Sequence, residues 1–406
     1  MIRRLLLPEG VDGAVLPLLL GRALRAFSDG YVAILLPAYL LALGFGTWEV
    51  GLIASATLLG SAMATLAVGA WGHRFHNRGL LLGAAVLMIA TGFAFASGGT
   101  FWPLLVIAFV GTLNPSSGDV SVFLPLEHAR LAGAAHRAAR TALFARYSLL
   151  GALFAALGAL ASAFPDRIVS MAGVTKLDAL RAMFVLYGLI GCAVWLLYRH
   201  LPPPRSEKHL PPGPLGPSRS IVWKLAALFS VDSFAGGLVV NSLLALWLFQ
   251  RFELSLATTG AFFFWAGLLT AFSQLAAPRL AKRIGLLNTM VFTHIPASIC
   301  LIAAAFSTSR EVALGLLLLR SLLSQMDVPA RGAFVMAVVT PEERAAAASF
   351  TAVPRSLASA ISPTLGGALF AAGWLAAPLV ACGLLKIAYD LTLWRAFRGL
   401  RRSDDS

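Results

Sequence analysis

Gly118–Asp119–Val120 and Ala145–Arg146–Tyr147–Ser148 place an acid and a base, 27 residues apart, inside two apolar runs of the chain. A polar turn, Glu127–Arg140, lies between the two runs. Ionisable side chains are costly within a lipid bilayer and mark functional positions there. The pattern therefore predicts two membrane-spanning segments joined by a polar turn, each carrying one buried charge.

The same arrangement returns near the other end of the chain. Met326–Asp327–Val328 is followed, 28 residues after its aspartate, by Val353–Pro354–Arg355–Ser356, again around a polar turn, Thr340–Arg344. The two aspartates are 208 positions apart and the two arginines 209. Two similar halves with charges at matched depths are typical of secondary transporters.

Composition also predicts a membrane protein. Apolar residues make up 58% of the chain, charged residues only 12%, and the mean hydropathy is +0.81, outside the range of soluble domains. A spanning helix needs about 20 apolar residues, so twelve helices with short loops account for the 406-residue length. We therefore predict an all-α integral membrane protein with twelve transmembrane helices.

The net charge of +14 indicates topology. With twelve crossings and both termini in the cytoplasm, most basic residues border the cytoplasm. Few border the outside, namely Arg167, Lys176, Arg181, Arg251 and Arg310. This asymmetry follows the positive-inside rule, so it favours a multi-pass bacterial inner-membrane protein over a partner of nucleic acid.

Residues 199–220 differ from the rest of the chain because they hold seven prolines and several charges. They predict a cytoplasmic linker between a first six-helix bundle, 1–198, and a second, 221–406. Residues 114–118 of the fourth helix are small, polar and proline-bearing, which predicts a broken or bent helix. The predicted helices are Leu16–Leu43, Trp48–Ala70, Gly79–Ser97, Phe101–Leu126, Thr141–Phe164, Leu177–Tyr198, Ile221–Gln250, Thr258–Ala277, Leu286–Phe306, Val312–Val338, Ala345–Ala372 and Leu375–Ala396.

With these features the chain resembles the major facilitator superfamily over essentially its whole length. The basic turn after the second helix is similar to the family's signature, glycine-x-x-x-aspartate-arginine-x-glycine-arginine-arginine/lysine. Gly69, Arg74 and Arg78 match it, whereas His73 replaces the aspartate. After the eighth helix, Arg283 and Gly285 match, and the acid is again missing.

The resemblance implies a monomeric transporter without a cofactor, whose first and seventh helices line a central cavity. Asp29 and Asp232 lie on those helices at matched positions. No base lies within one turn of Asp232 along the chain, and a buried acid without a partner is a candidate for proton exchange. The alternative is a structural, hydrogen-bonded aspartate. Asn241 and Gln274 are further candidates for the cavity lining.

The repeated charges allow two interpretations. Asp119 with Arg146, and Asp327 with Arg355, are ion pairs that lock each hairpin or close a gate, or they contact the substrate. The tenth helix carries Arg320, Asp327 and Arg331 along one face, as residues at helical spacing. Near the end of the last helix, Lys386 and Asp390 have the spacing of a local ion pair.

The sequence thus predicts a secondary transporter that moves a small organic solute by alternating access, coupled to protons and in the direction of export. The alternative is a non-transporting membrane receptor or an integral-membrane enzyme on the same scaffold. An enzyme needs convergent catalytic groups, but His294, which lies within a helix, has no acid near it in sequence. No metal-ligand spacing or phosphate-binding glycine loop occurs. The predicted partners are the solute, protons and the bilayer.

Overall fold

The structure, a computed structural model, describes residue 11 and residues 13–116, 121–134, 137–202, 216–340 and 343–399. Within these ranges the regular structure consists of α-helices with two short 3₁₀-helices and no β-strand. A helix satisfies its backbone hydrogen bonds internally, which apolar surroundings require. The all-α membrane class predicted from composition is confirmed.

The helices follow one another closely along the chain. The first eight are α1 (Leu16–Ala42), α2 (Thr47–Trp71), α3 (Asn77–Ser97), α4 (Phe101–Val110), α5 (Phe123–Gly133), α6 (Arg137–Ala161), α7 (Phe164–Ala172) and α8 (Lys176–Tyr198). The others are α9 (Arg219–Gly237), α10 (Asn241–Phe252), α11 (Leu256–Ile284), α12 (Leu286–Phe306), α13 (Arg310–Leu323), α14 (Asp327–Val338), α15 (Arg344–Ala371) and α16 (Ala377–Phe397).

The fourth predicted helix is broken, as its sequence indicates. α4 ends at Val110, and residues 111–116 are not helical. Asn114 organises the break, because its carboxamide oxygen accepts hydrogen bonds from the backbone N–H (3.1 Å) and the hydroxyl (2.8 Å) of Ser116. A short polar side chain that bonds to its own backbone competes with helix formation.

Two further breaks were not predicted. The seventh predicted helix is divided into α9 and α10 at residues 238–240, and the tenth into α13 and α14 at residues 324–326. Gly236 and Gly237 precede the first of these breaks, where glycine weakens a helix. Asp327 begins α14, where a carboxylate interacts favourably with the helix dipole.

Ten helical segments of the described chain are long and apolar enough to cross a membrane. α4 is apolar but has only 10 residues, and α15, with 28 residues, contains Pro354, Pro363 and Arg355. The count of twelve spans therefore stays a prediction. α7 lies in a region predicted to be a loop, and it ends at Gly173, whose positive φ of 65° suits glycine.

The chain divides into two compact units. Unit 1 comprises the described residues of Met1–Lys208 together with Asn241–Phe264, and unit 2 those of His209–Val240 and Trp265–Ser406. In unit 1, α1 packs against α6 and α8, and α3 packs against α8. In unit 2, α9 packs against α15, and α12 packs against α13 and α16. The proposed boundaries of the two bundles stay a prediction.

The turn before α15 is tied to the last residues of the predicted linker. Glu343 is 4% exposed, and its carboxylate accepts hydrogen bonds from the backbone N–H of Gly216 and of Ser218 (3.1 Å) and from the hydroxyl of Thr340 (2.8 Å). Hydrogen bonding, above all from the side chain of Ser218, outweighs burial and lowers the pKa of Glu343 to about 2. The carboxylate is therefore ionised at neutral pH and holds this end of unit 2 together.

Close packing of α1 on α6 depends on glycine. A Cβ on Gly158 would lie 1.9 Å from the carbonyl oxygen of Phe27, and one on Gly30 would lie 2.1 Å from that of Ala155. Backbone carbonyls cannot move aside without separating the helices. Small residues at such crossings allow the close approach on which helix association in membranes depends.

Gly158→Val is therefore expected to lower the thermal unfolding midpoint of the purified protein. Overpacking of this kind costs about 1–3 kcal/mol or more. Gly83→Val, on α3, is the matched control, because nothing lies within 4 Å of the position that a Cβ would take there. Equal midpoints for the two variants would contradict the close contact between α1 and α6.

Candidate functional site

Unit 2 contains a buried ionic cluster centred on Asp232. Asp232 lies on α9 and is 4% exposed. Its Oδ1 is 2.6 Å from Nζ of Lys386 on α16, and its Oδ2 is 3.0 Å from a guanidinium nitrogen of Arg331 on α14. The prediction that Asp232 lacks a base is wrong, because both cations come from helices distant in sequence.

His294, on α12, connects this ion pair to a second carboxylate. Its Nε2 accepts a hydrogen bond from Lys386 (3.3 Å), and its Nδ1 lies 3.2 Å from Oδ1 of Asp390. These distances fit a neutral imidazole with its proton on Nδ1. The predicted local pair of Lys386 and Asp390 is therefore wrong, since each side chain has a partner on another helix.

The predicted pair of Asp327 and Arg355 is also wrong. Asp327 binds Arg331, one turn along α14, and Arg331 thereby contacts two carboxylates. Side chains four residues apart lie on the same helix face, so Arg331 is close to Asp327 on α14 itself and no residue of α15 is needed. Arg355 is exposed and forms no salt bridge with a described residue.

Arg320 and Gln274 lie outside the ionic cluster of unit 2. Arg320, on α13, is half-buried, and Gln274 on α11 is half-buried as well. Neither side chain forms a hydrogen bond or salt bridge with a described residue. Their assignment as gate or cavity-lining residues stays a prediction.

Unit 1 contains a second buried cluster, around Glu127. Glu127 is 0% exposed, and both of its carboxylate oxygens are 2.5 Å from a guanidinium nitrogen of Arg25 on α1. The hydroxyls of Tyr147 and Tyr198 donate hydrogen bonds to the same carboxylate. The guanidinium of Arg25 also lies over the ring of Phe123, 4.0 Å from its centroid.

Glu127 was missed because the sequence places it at the start of a polar turn. The structure corrects this assignment, since Glu127 lies within α5 and its carboxylate is fully enclosed. Its position between Pro125–Leu126 and His128, beside an apolar run, was the available signal. A buried acid in such a run requires a base, and Arg25 is the base that the fold brings to it.

The remaining predicted residues of unit 1 have separate surroundings. Asp29 is 7% exposed and lies close to the guanidinium groups of Arg25 and Arg22 and to the amide of Asn114. Asp119 lies outside the described residues, so its pairing with Arg146 stays a prediction.

Asn241 begins α10 and contacts the break after α4. Its amide donates a hydrogen bond to the carbonyl oxygen of Ser116 (2.9 Å), and the backbone N–H of Ser242 donates one to Pro115 (3.0 Å). Asn241 therefore satisfies backbone groups that the break leaves without helical partners.

The two signature-like turns lie at helix ends. Arg78, at the start of α3, donates a hydrogen bond to the carbonyl oxygen of Arg199, whereas Gly69 and Arg74 lie at the surface. Arg283 ends α11 beside Gly285, whose φ of 89° requires a residue without a side chain.

Comparison with known proteins finds relatives among membrane proteins. The chain is 23% identical over 413 residues to an uncharacterized membrane protein of Saccharomyces cerevisiae, covering 93% of this chain and 92% of that protein. It is 29% identical over 113 residues to a D-xylose transporter of Levilactobacillus brevis, covering 28% of this chain and 24% of the transporter.

The fold is shared with solved transporters at low sequence identity. A D-xylose–proton symporter matches with a TM-score of 0.74 at 16% identity, covering 94% of this chain and 98% of that one. A bacterial homolog of the human lysosomal transporter Spinster, inward-facing and occupied, matches with a TM-score of 0.74 at 15% identity, covering 95% and 96%. The nucleoside transporter NupG matches with a TM-score of 0.72 at 14% identity, covering 96% and 100%.

The family model described as Major Facilitator Superfamily matches residues 18–322, more than half of the chain. The matched residues run from α1 to α13, and the match agrees with the all-helical fold. The chain therefore belongs to the major facilitator superfamily and is a membrane transporter rather than an enzyme.

Proposed function

We propose that this chain is a secondary transporter that couples the movement of a small organic solute to protons through the ionic cluster of unit 2. The observation that carries the proposal is the position of His294 between Asp390 and the pair formed by Asp232 and Lys386. An imidazole titrates near physiological pH more readily than any other unperturbed side chain. Ionisable groups inside a membrane protein mark proton pathways.

The geometry supports a defined response to a proton. Nε2 of His294 accepts a hydrogen bond from the ammonium of Lys386, so a proton on Nε2 would place two positive donors face to face. Lys386 would then have to move, and the carboxylate of Asp232, 3.9 Å from Nε2, would become the partner of the imidazolium. Protonation thus favours a second arrangement of α9, α12 and α16, which is what coupling to a conformational change requires.

We propose further that the solute carries an acidic group. Arg320 on α13 and Arg355 on α15 are accessible and have no carboxylate partner among the described residues. Guanidinium groups bind carboxylates and phosphates with two parallel hydrogen bonds, which an anionic or zwitterionic solute would supply. Two of the structural neighbours are named for a sugar and for nucleosides, so the cargo of these neighbours does not define the solute here.

Export remains the proposed direction of transport. We also propose that the chain is a monomer in a bacterial inner membrane, with both termini in the cytoplasm. The placement of the basic residues supports this topology. A protein named a D-xylose–proton symporter has a similar fold, which supports coupling to protons but does not support a direction of transport.

The test is a transport screen in proteoliposomes with an imposed pH gradient, using acidic, zwitterionic and neutral solutes. We expect accumulation of an acidic or zwitterionic solute that disappears when a protonophore collapses the gradient. Arg320→Gln should weaken transport of that solute by about tenfold or more, since one charge-assisted hydrogen bond contributes roughly 1.5–3 kcal/mol. Arg310→Gln is the control on the same helix, because Arg310 is exposed and bound to Glu311. Solute accumulation that is the same with and without the pH gradient would contradict proton coupling.

A further inference from the structure

Unit 2 contains a cavity at the end where α11 meets α12. The cavity has a volume of about 580 Å³. It is lined by the last residues of α11, the first residues of α12, and the last turns of α14 and α16. Gly285, with a φ of 89°, makes the tight turn that brings α11 and α12 together beneath it.

The rim of the cavity is basic. Lys282, Arg283 and Arg398 line it, all three are exposed, and none forms a salt bridge with a described residue. The lining contains no aspartate or glutamate. The acid of the family's signature is also missing from this turn. The cavity therefore attracts an anion.

Aromatic and aliphatic residues line the cavity beside its basic and polar residues. Phe334 and Phe397 pack edge to face, with ring centroids 5.7 Å apart. The indole of Trp394 donates a hydrogen bond to the side-chain oxygen of Asn288 (3.3 Å), and the guanidinium of Arg398 lies over its ring at 4.7 Å. An anion with apolar chains attached fits this combination better than a small inorganic ion does.

The position of the cavity relative to the membrane agrees with an anion that carries apolar chains. α11, α12 and α16 are each long and apolar enough to span a membrane. So is the segment Arg310–Val338, which α13 and α14 form together. Because these helices begin or end at the cavity, it lies at the boundary between apolar and polar surroundings. Tryptophan and basic side chains are enriched at this level, and basic pockets between helices bind the headgroups of anionic lipids.

We infer that this cavity, between the ends of α11, α14 and α16 and the start of α12, binds the phosphate-bearing headgroup of an anionic phospholipid. Lys282, Arg283 and Arg398 contact the phosphate, and the acyl chains lie against the apolar residues of the helix ends. The inference is independent of the proposed transport activity. It concerns how the membrane holds unit 2 and not which solute is moved.

Native mass spectrometry of the purified protein tests the inference, with phosphatidylglycerol and phosphatidylcholine as the probes. The parent protein should bind one phosphatidylglycerol more tightly than phosphatidylcholine. Arg283→Gln/Arg398→Gln should weaken phosphatidylglycerol binding by roughly 30-fold, from about a fivefold step for each basic residue. Arg279→Gln/Arg395→Gln is the matched control: it removes the same charge from α11 and α16, but neither residue lines the cavity.

Equal binding of the two lipids by the parent, or equal loss in the two double variants, would overturn the inference. So would stabilisation by inorganic phosphate alone in phosphatidylcholine nanodiscs, because the ligand would then be free phosphate. Thermal unfolding of each variant in detergent shows that it is folded, and the single variant Arg398→Gln replaces the double variant if that protein does not fold. An effect of Arg398→Gln no larger than that of Arg395→Gln would count against the site.

Discussion

Asp232→Asn is expected to abolish the accumulation of solute against its gradient, whereas exchange of solute across the membrane continues. Asparagine has nearly the same shape as aspartate and still accepts a hydrogen bond from Lys386, but it lacks the negative charge that the proposed mechanism needs to stabilise a protonated His294. Arg331 keeps Asp327 as its partner, and Lys386 keeps Nε2 of His294. These contacts remain in the variant, whereas the proton-dependent switch is lost.

Two assays in the same proteoliposomes separate these effects. One measures accumulation driven by an imposed pH gradient, and the other measures exchange of labelled for unlabelled solute. Asp178→Asn, which changes an exposed acid paired with Arg181, is the control and should behave as the parent in both assays. If Asp232→Asn concentrates solute as well as the parent does, Asp232 is not the coupling residue.

A second variant distinguishes coupling from stability. Asp232→Asn leaves the ammonium of Lys386 without its carboxylate, and a buried charge that loses its partner destabilises a protein. Asp232→Asn/Lys386→Gln removes that charge and should recover the unfolding midpoint, but not the accumulation of solute. Recovery of both would show that the single variant fails through instability alone.

The helices were predictable from the sequence, whereas the partners of the buried charges were not. Asp232 is flanked by serine, valine and serine, and nothing near it along the chain is basic. Its partners, Lys386 and Arg331, are separated from it by 154 and 99 positions and reach it only because α14 and α16 pack near α9. Hydropathy determines that a segment is buried, but it carries no information about which side chains meet.

The buried charges of unit 2 pair differently from the sequence prediction in a consistent way. Asp327 was paired with Arg355, and Asp390 with Lys386. In the structure Asp327 instead binds Arg331, one turn along the same helix, and Asp390 binds His294 on another helix. His294 was set aside because no acid is near it in sequence, yet side chains from two other helices, α9 and α16, converge on its ring. An ionisable residue within an apolar helix is therefore best treated as half of an unidentified pair.

The break after α4 was predictable because its cause is local. Proline and small polar residues interrupt a helix through their own backbone and side-chain bonds, and Asn114 does so here. The break between α13 and α14 also has a local cause, which the prediction overlooked. Pro329, in the first turn of α14, cannot donate a hydrogen bond to the carbonyl oxygen of Gln325, and its ring would clash with that carbonyl in a continuous helix.

Glu127→Leu is expected to be among the most destabilising substitutions in unit 1. It leaves the guanidinium of Arg25, 3% exposed, without its carboxylate, and removal of one member of a buried ion pair costs about 3–5 kcal/mol. The hydroxyls of Tyr147 and Tyr198 lose their acceptor as well, at about 1–3 kcal/mol for each buried group left unsatisfied. A large fall in the thermal unfolding midpoint in detergent would report this loss.

The reverse experiment removes the charge and the hydroxyls together. Arg25→Met/Glu127→Leu should recover part of the midpoint, because apolar residues can replace a buried ion pair at little cost. Adding Tyr147→Phe and Tyr198→Phe should recover more, since no buried donor is then left without an acceptor. Glu311→Leu, in the exposed pair with Arg310, is the control and should change the midpoint little, because solvent screens such pairs. If the double variant is no more stable than Glu127→Leu alone, the ion pair is not what makes Glu127 necessary, and its role must lie with the two tyrosines.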